Sequence, residues 1–404
     1  LMAEVTRSYA GKIIKAGNVQ NLSEAKSPFD SGEKNLKPSS KVKAGDKFLI
    51  TLPEINQDLQ PEDWAWLDFQ RPEGINPIIS PNKDIKFFCP MTSDSIAWQE
   101  GDTFNPAATT KDGKIVVMFR SEDATHMGIG SRTSRIGYAE STDGLHFDIQ
   151  NTPVVYPADD AQKTNEWPGG CEDPRVAKTE DGLYVMFYTQ WNRDVARLAV
   201  ATSRDLQNWT KHGPAFAKAY DGRFANNFTK SASIITKMQD GQQVIAKFGD
   251  KYMMYWGEQF VNVATSTDLV NWEPMLAEQG ELLQVMKTRP GYFDSDLTEC
   301  GPPAIMTDKG IILFYNGKNK AGEGADPNYT ANSYCAGQAL FDKNDPTKYI
   351  TRLDKPFFQP EADFEKSGQY PAGTVFIEGL VNHQGKWFLY YGCADSFVAV
   401  AVKN

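Results

Sequence analysis

Four acidic segments of this sequence contain the residue types that acid–base chemistry needs. They are SED at residues 121–123, GGCEDPR at 169–175, WGE at 256–258 and DSDLTECGPP at 294–303. Carboxyl groups that share a partly dry pocket acquire unequal pKa values, so that one is protonated while another is ionised. That difference supplies a general acid and a general base. Beside aromatic side chains, such a set is typical of a site that cleaves sugars.

Each charged candidate in these segments also has a plain structural interpretation. The interpretation is an ion pair or a turn cap for Arg120, Asp173 and Arg175, and a solvated loop charge for Lys230, Glu258 and Glu299. Spacing alone leaves both interpretations open.

The composition excludes several classes of protein. The chain has 404 residues and a formal net charge of −10, which argues against nucleic-acid binding, because phosphates are bound by a basic surface. No apolar run approaches ~18 residues, the length of a membrane-spanning helix. Four histidines and five widely spaced cysteines form no metal-binding pattern. We therefore expect no metal and no other cofactor, no nucleic-acid partner and no membrane insertion.

A repeated phrase sets the expected architecture. In each copy a turn leads into an apolar strand that ends in aromatic residues, and a second strand with small residues follows. The first strand occurs as DGKIVVMFR (112–120), DGLYVMFYT (181–189), GDKYMMYWG (249–257), DKGIILFYN (308–316) and QGKWFLYYG (384–392). Copies about 60 to 75 residues apart are too long for solenoid repeats and suit four-stranded propeller blades. The sequence thus predicts an all-β fold, a five-bladed β-propeller.

A short segment rich in proline or small residues precedes each copy, and we interpret it as the innermost strand of its blade. The segments are FNPAAT, CEDPRVA, TKSASII, CGPPAIM and YPAGTVF. Innermost strands line the central channel of a propeller. The residues at their entrances should therefore converge on one pocket, and these residues are Asn105, Glu172, Asp173, Lys230 and Glu299.

Residues 1–90 lack the phrase and are expected to form an N-terminal extension that packs on the propeller of residues 91–404. Residues 22–47 are polar and rich in Pro, Gly and Ser, which predicts an extended arm. The segment at 61–79 is expected to pack against a blade and close the ring. Trp64 and Trp66 in this segment are interpreted either as edge packing or as sugar-stacking residues.

The ordered set of motifs resembles glycoside hydrolase family 130, the mannoside phosphorylases and β-1,2-mannosidases. The matching segments are FNPAA (104–108), FRSED (119–123), SRIGYAESTDG (134–144), EDPR (172–175), KYMMYWGE (251–258), GPPAI (301–305) and YYGCAD (390–395). No single segment is decisive, but the ordered set is highly specific. The fold of this family is a five-bladed β-propeller, which agrees with the count of repeats.

The resemblance implies roles for individual residues. Asp173, in EDPR, corresponds to the general acid, which in the phosphorylases protonates the glycosidic oxygen through a hydroxyl group of the bound mannose. Arg120 and Asp123 fall where the family binds the sugar. The other substrate-binding candidates are Asn105, Arg175, Lys230, Trp256 and Asp395.

The chain departs from the phosphorylase pattern at two positions. Gly257-Glu258 stands where a phosphorylase typically has a basic residue, and Glu299 stands where small residues precede GPP. A carboxylate there repels phosphate and can activate water. The sequence therefore favours single-displacement, inverting hydrolysis of a β-mannoside, with Asp173 as the acid and Glu258 or Glu299 as the base. A β-1,2 linkage is favoured by family analogy.

Two alternatives remain open on the sequence. Lys230 and several arginines could still bind phosphate, which would make the protein a phosphorylase that releases mannose 1-phosphate. A non-catalytic sugar-binding propeller is the other alternative, and the intact acidic set argues against it. The oligosaccharide substrate would suit a periplasmic or cell-surface enzyme, while the oligomeric state is not indicated.

Overall fold

The computed structural model describes the secondary structure of residues 3–9, 12–19, 59–126 and 128–404. The chain divides into two compact units, Leu1–Trp64 and Ala65–Asn404. In the first unit, β1 (Ala3–Tyr9) pairs antiparallel with β2 (Lys12–Val19), and α1 (Pro61–Trp64) is a single helical turn. The predicted arm at residues 22–47 lies outside the described residues.

The regular secondary structure of the second unit is almost entirely β-strand, which confirms the predicted all-β class. Its short helical pieces are α2 (Lys163–Glu166) and two 3-10 turns at Ala219–Gly222 and Asp363–Glu365. The described residues include no helix with the length and apolar character of a membrane span.

The strands of the second unit, after the hairpin of β3 (Phe87–Cys89) and β4 (Asp94–Ile96), form five successive antiparallel runs. Run 1 is β5 (Asp102–Lys111), β6 (Lys114–Glu122), β7 (Ser134–Ser141) and β8 (Asp148–Ile149). Run 2 is β9 (Gly170–Lys178), β10 (Tyr184–Trp191), β11 (Ala196–Ser203) and β12 (Thr210–Pro214). Run 3 is β13 (Ala232–Gln239), β14 (Gln242–Ile245), β15 (Tyr252–Trp256), β16 (Val261–Ser266), β17 (Glu273–Pro274) and β18 (Gln284–Met286).

Run 4 is β19 (Leu297–Cys300), β20 (Ala304–Met306), β21 (Ile311–Lys318), β22 (Tyr334–Phe341) and β23 (Tyr349–Arg352). Run 5 is β24 (Val375–His383), β25 (Lys386–Cys393) and β26 (Phe397–Lys403). The repeated apolar strands of the sequence are therefore β6, β10, β15, β21 and β25. Their residues are buried on both faces of the sheet, because each central strand has packed layers on either side.

Apolar cores lie between successive runs. One core joins runs 1 and 2, a second joins runs 2 and 3, and a third joins runs 3 and 4. Runs 4 and 5 meet through Phe358, which pairs with Ala336 of β22 and whose ring centroid lies 5.0 Å from that of Tyr391 in β25. Another core joins run 5 back to run 1, so the contacts between runs form a closed cycle.

The segment before run 1 is attached to run 5. Gln70 pairs with Val402, and Ile79 pairs with Val398, both on the free edge of β26. Trp66 packs its ring on Trp387, at 4.6 Å between centroids. Of the two interpretations of Trp66, edge packing is the one that the structure supports. Trp64 is buried and belongs to the first compact unit.

Candidate active site

Irregular pairing at the innermost strands of runs 1, 2 and 5 determines the direction in which the side chains of the candidate site point. The ladder of β5 and β6 skips Asn105, that of β9 and β10 shifts at Asp173, and that of β24 and β25 skips Glu378. Asn105 and Asp173 both have a φ of 48°, and a proline follows each. Bulges re-aim side chains out of the alternating pattern. This places Asn105 against Asp173, with its Nδ2 donating to Asp173 Oδ1 at 2.9 Å.

Arg120 gathers three carboxylates from runs 1 and 2. Its Nη1 donates to Asp173 Oδ1 at 3.0 Å, and its Nη2 donates to Glu122 Oε1 at 2.6 Å and to Glu172 Oε1 at 2.8 Å. Its Nε donates to Ser134 Oγ at 3.1 Å, and its guanidinium lies over the Phe104 ring at 4.6 Å. One cation among three buried carboxylates leaves a surplus of negative charge, which favours retention of a proton.

Two carboxyl groups near Arg120 hold protons more tightly than usual. Burial raises the pKa of Glu172 to about 7, with Arg120 opposing the shift. Burial likewise raises the pKa of Asp395 to about 7, again against the charge of Arg120. Both groups therefore keep their protons to a higher pH than an ordinary carboxyl group does.

Asp173 behaves in the opposite way. Burial acts to raise the pKa of this carboxyl, but the charges of Arg120 and Lys230, together with the hydrogen bond from Asn105, lower it to about 2. In the unliganded molecule Asp173 is therefore a carboxylate. Any proton that it delivers has to reach it after ligand binding has weakened these contacts or removed water.

A second charged cluster, at the entrances to runs 3 and 4, centres on Lys230. The Lys230 Nζ lies 3.4 Å from Glu258 Oε1 and 3.8 Å from Glu299 Oε1. Glu299 is buried and accepts a hydrogen bond from Ser231 Oγ at 2.5 Å, whereas the Glu258 side chain is 30% exposed. Backbone bonds fix the two segments side by side, with Cys300 N donating to Gly257 O at 3.0 Å and Thr298 N to Glu258 O at 3.2 Å.

The charges of this second cluster alter one another's proton affinity. Burial raises the pKa of Glu299, and Lys230 opposes that shift. Burial lowers the pKa of Lys230, but Glu299 and Glu258 outweigh it and hold the pKa raised. Because the charge of Lys230 also acts on Asp173 and Glu172, the two clusters are electrostatically linked. The five residues whose convergence the sequence predicted thus lie in two clusters, with Asn105, Glu172 and Asp173 around Arg120 and Glu299 beside Lys230.

Three other predicted residues are engaged by the protein itself. Asp123 accepts Arg135 Nη1 at 2.8 Å and Thr125 Oγ1 at 2.5 Å, and it is 3% exposed. Arg175 is 1% exposed, and its guanidinium contacts main-chain carbonyls and Glu378.

Trp256, expected against the sugar, lies in the core between runs 2 and 3, with its ring 4.7 Å from that of Phe216. This placement corrects the expectation that Trp256 binds the substrate. The reason is that β15 is covered on both faces, so the aromatic end of the repeated phrase is core.

Asp395 remains available to a ligand. It is partly exposed, has a φ of 53° and follows β25 in a turn. Its main-chain carbonyl accepts Gln369 Nε2 at 2.9 Å, and among the described residues no hydrogen bond is made to its carboxylate. Gly392, earlier in the same motif, allows β25 to approach β5, since a Cβ there would lie 2.3 Å from Asn105 Oδ1.

Sequence reasoning missed Tyr334 and Glu122. Tyr334 is partly exposed at the start of β22, with its ring 5.5 Å from Tyr370 and 5.7 Å from Phe376. Burial raises the pKa of Tyr334, and the charges of Glu299 and Asp395 raise it further, which places it near both clusters. Tyr334 lies two residues before Ala336, where the recognised strand phrase begins, so the sequence pattern did not single it out. Glu122 stood within SED, but nothing in the spacing distinguished it from Asp123.

The described side chains form no cluster suited to a metal ion. Among residues 59–126 and 128–404, no group of three or more His, Cys, Asp and Glu side chains is arranged to hold a metal ion. The chemistry that this site can perform with its own side chains is proton transfer between carboxyl groups and the binding of hydroxyl groups.

Comparison with known proteins agrees with this chemistry. The model of glycoside hydrolase family 130, described as β-1,4-mannooligosaccharide phosphorylase, matches residues 76–404. A 1,2-β-oligomannan phosphorylase from Thermoanaerobacter sp. (strain X514) is 31% identical, over 76% of this chain and 90% of that protein.

Solved structures with higher identity are described as hydrolases. A glycosyl hydrolase from Bacteroides ovatus is 63% identical, with a TM-score of 0.83, over 85% of this chain and 95% of that one. A second structure, also 63% identical over the same shares of both chains, has a TM-score of 0.84. Its description states that the family of mannoside phosphorylases contains glycoside hydrolases that target β-1,2-mannosidic linkages in Candida mannan.

Proposed function

We propose that this chain, which belongs to glycoside hydrolase family 130, is a hydrolase that cleaves β-mannosidic linkages, in particular β-1,2 linkages, by single displacement with inversion. The observation that carries the proposal is the pairing of Lys230 with both Glu258 and Glu299. A phosphorylase has to bind an anion as its nucleophile. Here Lys230 already faces two carboxylates, so that a phosphate beside it would meet repulsion and a water molecule would meet a base.

The proposed architecture is the five-bladed β-propeller, with the five runs as blades within residues 91–404. The closed cycle of contacts between runs supports it, because only a ring joins the fifth run to the first. The edge pairing of residues 70–79 with β26 supports ring closure by the segment that precedes the first blade. In a propeller the bulged innermost strands face one central channel, which would bring Asp173, Lys230 and Glu299 to the same hollow.

Asp173 is the proposed general acid. It lies where Arg120 and Asn105 fix its orientation, and its low pKa in the free molecule requires that the substrate change its surroundings. A bound sugar excludes water and offers hydroxyl groups to Arg120 and Asn105, which removes the contacts that favour the carboxylate. The proton then passes from Asp173, directly or through a sugar hydroxyl, to the glycosidic oxygen as the bond to the anomeric carbon breaks.

Glu258 is the proposed general base, and Glu299 is its supporting partner. The more exposed carboxylate can contact a water molecule, while the buried Glu299 is held by Ser231 and helps to fix Lys230. Inverting glycosidases separate the acid and the base by ~6.5–9.5 Å, which leaves room for the water. Glu258 takes a proton from that water as its oxygen bonds to the anomeric carbon, and α-mannose is the first product.

Substrate binding is assigned to the polar groups that still face the hollow. Asn105, Arg120 and Asp395 bind hydroxyl groups of the mannose that is released, and Lys230 orients the water with the glutamates. Asp123 supports this set through Arg135. Its own carboxylate has little capacity left for a sugar.

The alternative function is phosphorolysis, which the 31%-identical oligomannan phosphorylase favours. The two functions are separated by incubating the protein with β-1,2-mannobiose, with and without inorganic phosphate, and following the products by NMR. We expect mannose to be released at the same rate in both samples, with the α-anomer appearing first. Phosphate-dependent formation of mannose 1-phosphate would contradict the hydrolase proposal, and tight binding of the disaccharide without any turnover would favour a sugar-binding protein.

The rate is expected to depend on pH through the carboxyl cluster around Arg120. Glu172 and Asp395 have pKa values of about 7, so the cluster keeps a proton below neutrality and loses it above. Since the acid step needs that proton, kcat/KM should fall as the pH rises past about 7, approaching tenfold per pH unit.

The Glu172→Gln variant tests whether this cluster causes the alkaline fall in kcat/KM. It removes one titrating group beside Arg120, so the fall in kcat/KM should begin at lower pH. Glu166→Gln is the matched control, because Glu166 is also a buried glutamate of raised pKa but contacts Lys211 and Tyr188 outside the candidate site. A fall in kcat/KM that begins at an unchanged pH in Glu172→Gln would contradict the assignment.

A further inference from the structure

Arg175 joins the strand that carries the proposed acid to the strand that carries the second glutamate. Its Nη1 donates to the main-chain oxygen of Asp173 at 3.0 Å. Its Nη2 donates to the main-chain oxygen of Cys300 at 2.7 Å, and its Nε donates to that of Gly301 at 3.3 Å. One guanidinium therefore bridges the innermost strands of runs 2 and 4, immediately beside Asp173 and Glu299.

Arg175 also contacts a third strand. Glu378, at the bulge of β24, is fully buried with an oxygen 2.8 Å from Arg175 Nη1. The pair therefore ties together runs 2, 4 and 5. Arg175 is itself 1% exposed, so the ties are made inside the protein.

We propose that Arg175 is a positioning residue that fixes the acid Asp173 relative to the segment that holds the base Glu258, and this inference rests on the proposed function. An inverting reaction needs a defined gap between acid and base. A shift of about 1 Å in a catalytic group is enough to lower the rate strongly. The backbone atoms that Arg175 holds belong to Asp173 itself and to Cys300, whose N–H donates to Gly257 O beside Glu258 at 3.0 Å, so loss of the guanidinium would act on this gap.

Only a planar, multiply donating cation suits this position. A guanidinium offers donors in a fixed plane, and here they bond to three main-chain carbonyls, whereas an ammonium is a point charge on a flexible stem. Arg175→Lys would keep the charge beside Glu378 but could not hold both strands. We therefore expect Arg175→Lys to keep the positive charge but to lose the fixed distance between the two strands.

The test measures kcat and KM for Arg175→Ala and Arg175→Lys, using whichever cleavage of β-1,2-mannobiose the wild type performs. We expect kcat to fall about a hundredfold in Arg175→Ala and at least tenfold in Arg175→Lys, with KM within about threefold of wild type. Guanidinium ion at about 50 mM, far below denaturing concentrations, is expected to raise the kcat of Arg175→Ala at least tenfold.

Arg71→Ala is the matched control. Arg71 also contacts a buried glutamate, Glu365, and a main-chain carbonyl, that of Gln359, but in the segment between runs 4 and 5. It should lose thermal stability without a comparable loss of kcat and without a response to guanidinium.

Three results would overturn the inference. They are a kcat of Arg175→Lys within twofold of wild type, a change confined to KM, or an equal response of Arg71→Ala to guanidinium. If Arg175→Ala does not fold, the Lys variant alone decides. A wild type that cleaves nothing, with or without phosphate, would instead refute the proposed function, so the two failures are distinguishable.

Discussion

Asp173→Asn is expected to lower kcat on β-1,2-mannobiose about a thousandfold, which corresponds to about 4 kcal/mol of activation barrier. The amide can still accept from Arg120 and Asn105, so binding of the sugar should be largely preserved. It cannot transfer a proton to the glycosidic oxygen. The expected result is thus a loss of kcat with a modest change in KM, measured by steady-state release of mannose.

A substrate with a good leaving group tests the reason for that loss. A 2,4-dinitrophenyl β-mannoside needs little protonation of its leaving oxygen, so Asp173→Asn should retain far more of the wild-type rate on it than on the disaccharide. Asp294→Asn is the control, since Asp294 is a fully buried aspartate that is held by Arg289 and Tyr315 elsewhere in the molecule. Turnover of the disaccharide within tenfold of wild type in Asp173→Asn would show that another group is the acid.

The strand pattern was predictable because the sequence repeats it. The apolar phrases occupy β6, β10, β15, β21 and β25, and the preceding segments with Asn105 and Asp173 lie in β5 and β9. Each copy supports the others, so that a five-fold count needed no long-range information. The pairing of residues 70–79 with β26 depends on contacts across more than 300 residues, and only the position of the tryptophans hinted at it.

Within the site, chain direction accounts for the clusters that form, and packing accounts for the expectation that was wrong. Asn105, Glu172 and Asp173 lie around Arg120, and Glu299 lies beside Lys230. Trp256 is at a different kind of position, the end of a central strand, where both faces are covered.

Arg175 illustrates a different limit. The bulge at Asp173 breaks the alternation of β9, so the spacing of the EDPR motif does not say whether its arginine faces the ligand or the interior. Sequence reasoning could recognise that proline accompanies Asn105 and Asp173. It could not recognise that the ladder bulges there, because a bulge is a property of two paired strands.

The second large effect concerns Glu258. Replacing it with glutamine should lower kcat for hydrolysis about a hundredfold to a thousandfold, because the water would lose its proton acceptor. Glu299→Gln should cost about tenfold, since the amide can still accept from Ser231 and the base remains in place. The measurement is kcat for each variant under identical conditions, and the reverse order would assign the base role to Glu299.

A second substitution at the same position, Glu258→Gly, offers an independent readout through added anions. Without the charge of Glu258, Lys230 would face one carboxylate instead of two, and a small anion could occupy the position of the water. Azide added to Glu258→Gly should therefore attack the anomeric carbon as the glycosidic bond breaks, with Asp173 protonating the leaving oxygen, and form α-mannosyl azide. Phosphate in the same position would yield α-mannose 1-phosphate, which would turn the hydrolase toward phosphorolysis.

If neither anion gives a mannosyl product with Glu258→Gly while Glu299→Gly gives both, the charge argument holds but the two glutamates exchange roles. If neither variant responds, the pairing around Lys230 does not guard the nucleophile, and the distinction between water and phosphate must lie elsewhere in the hollow.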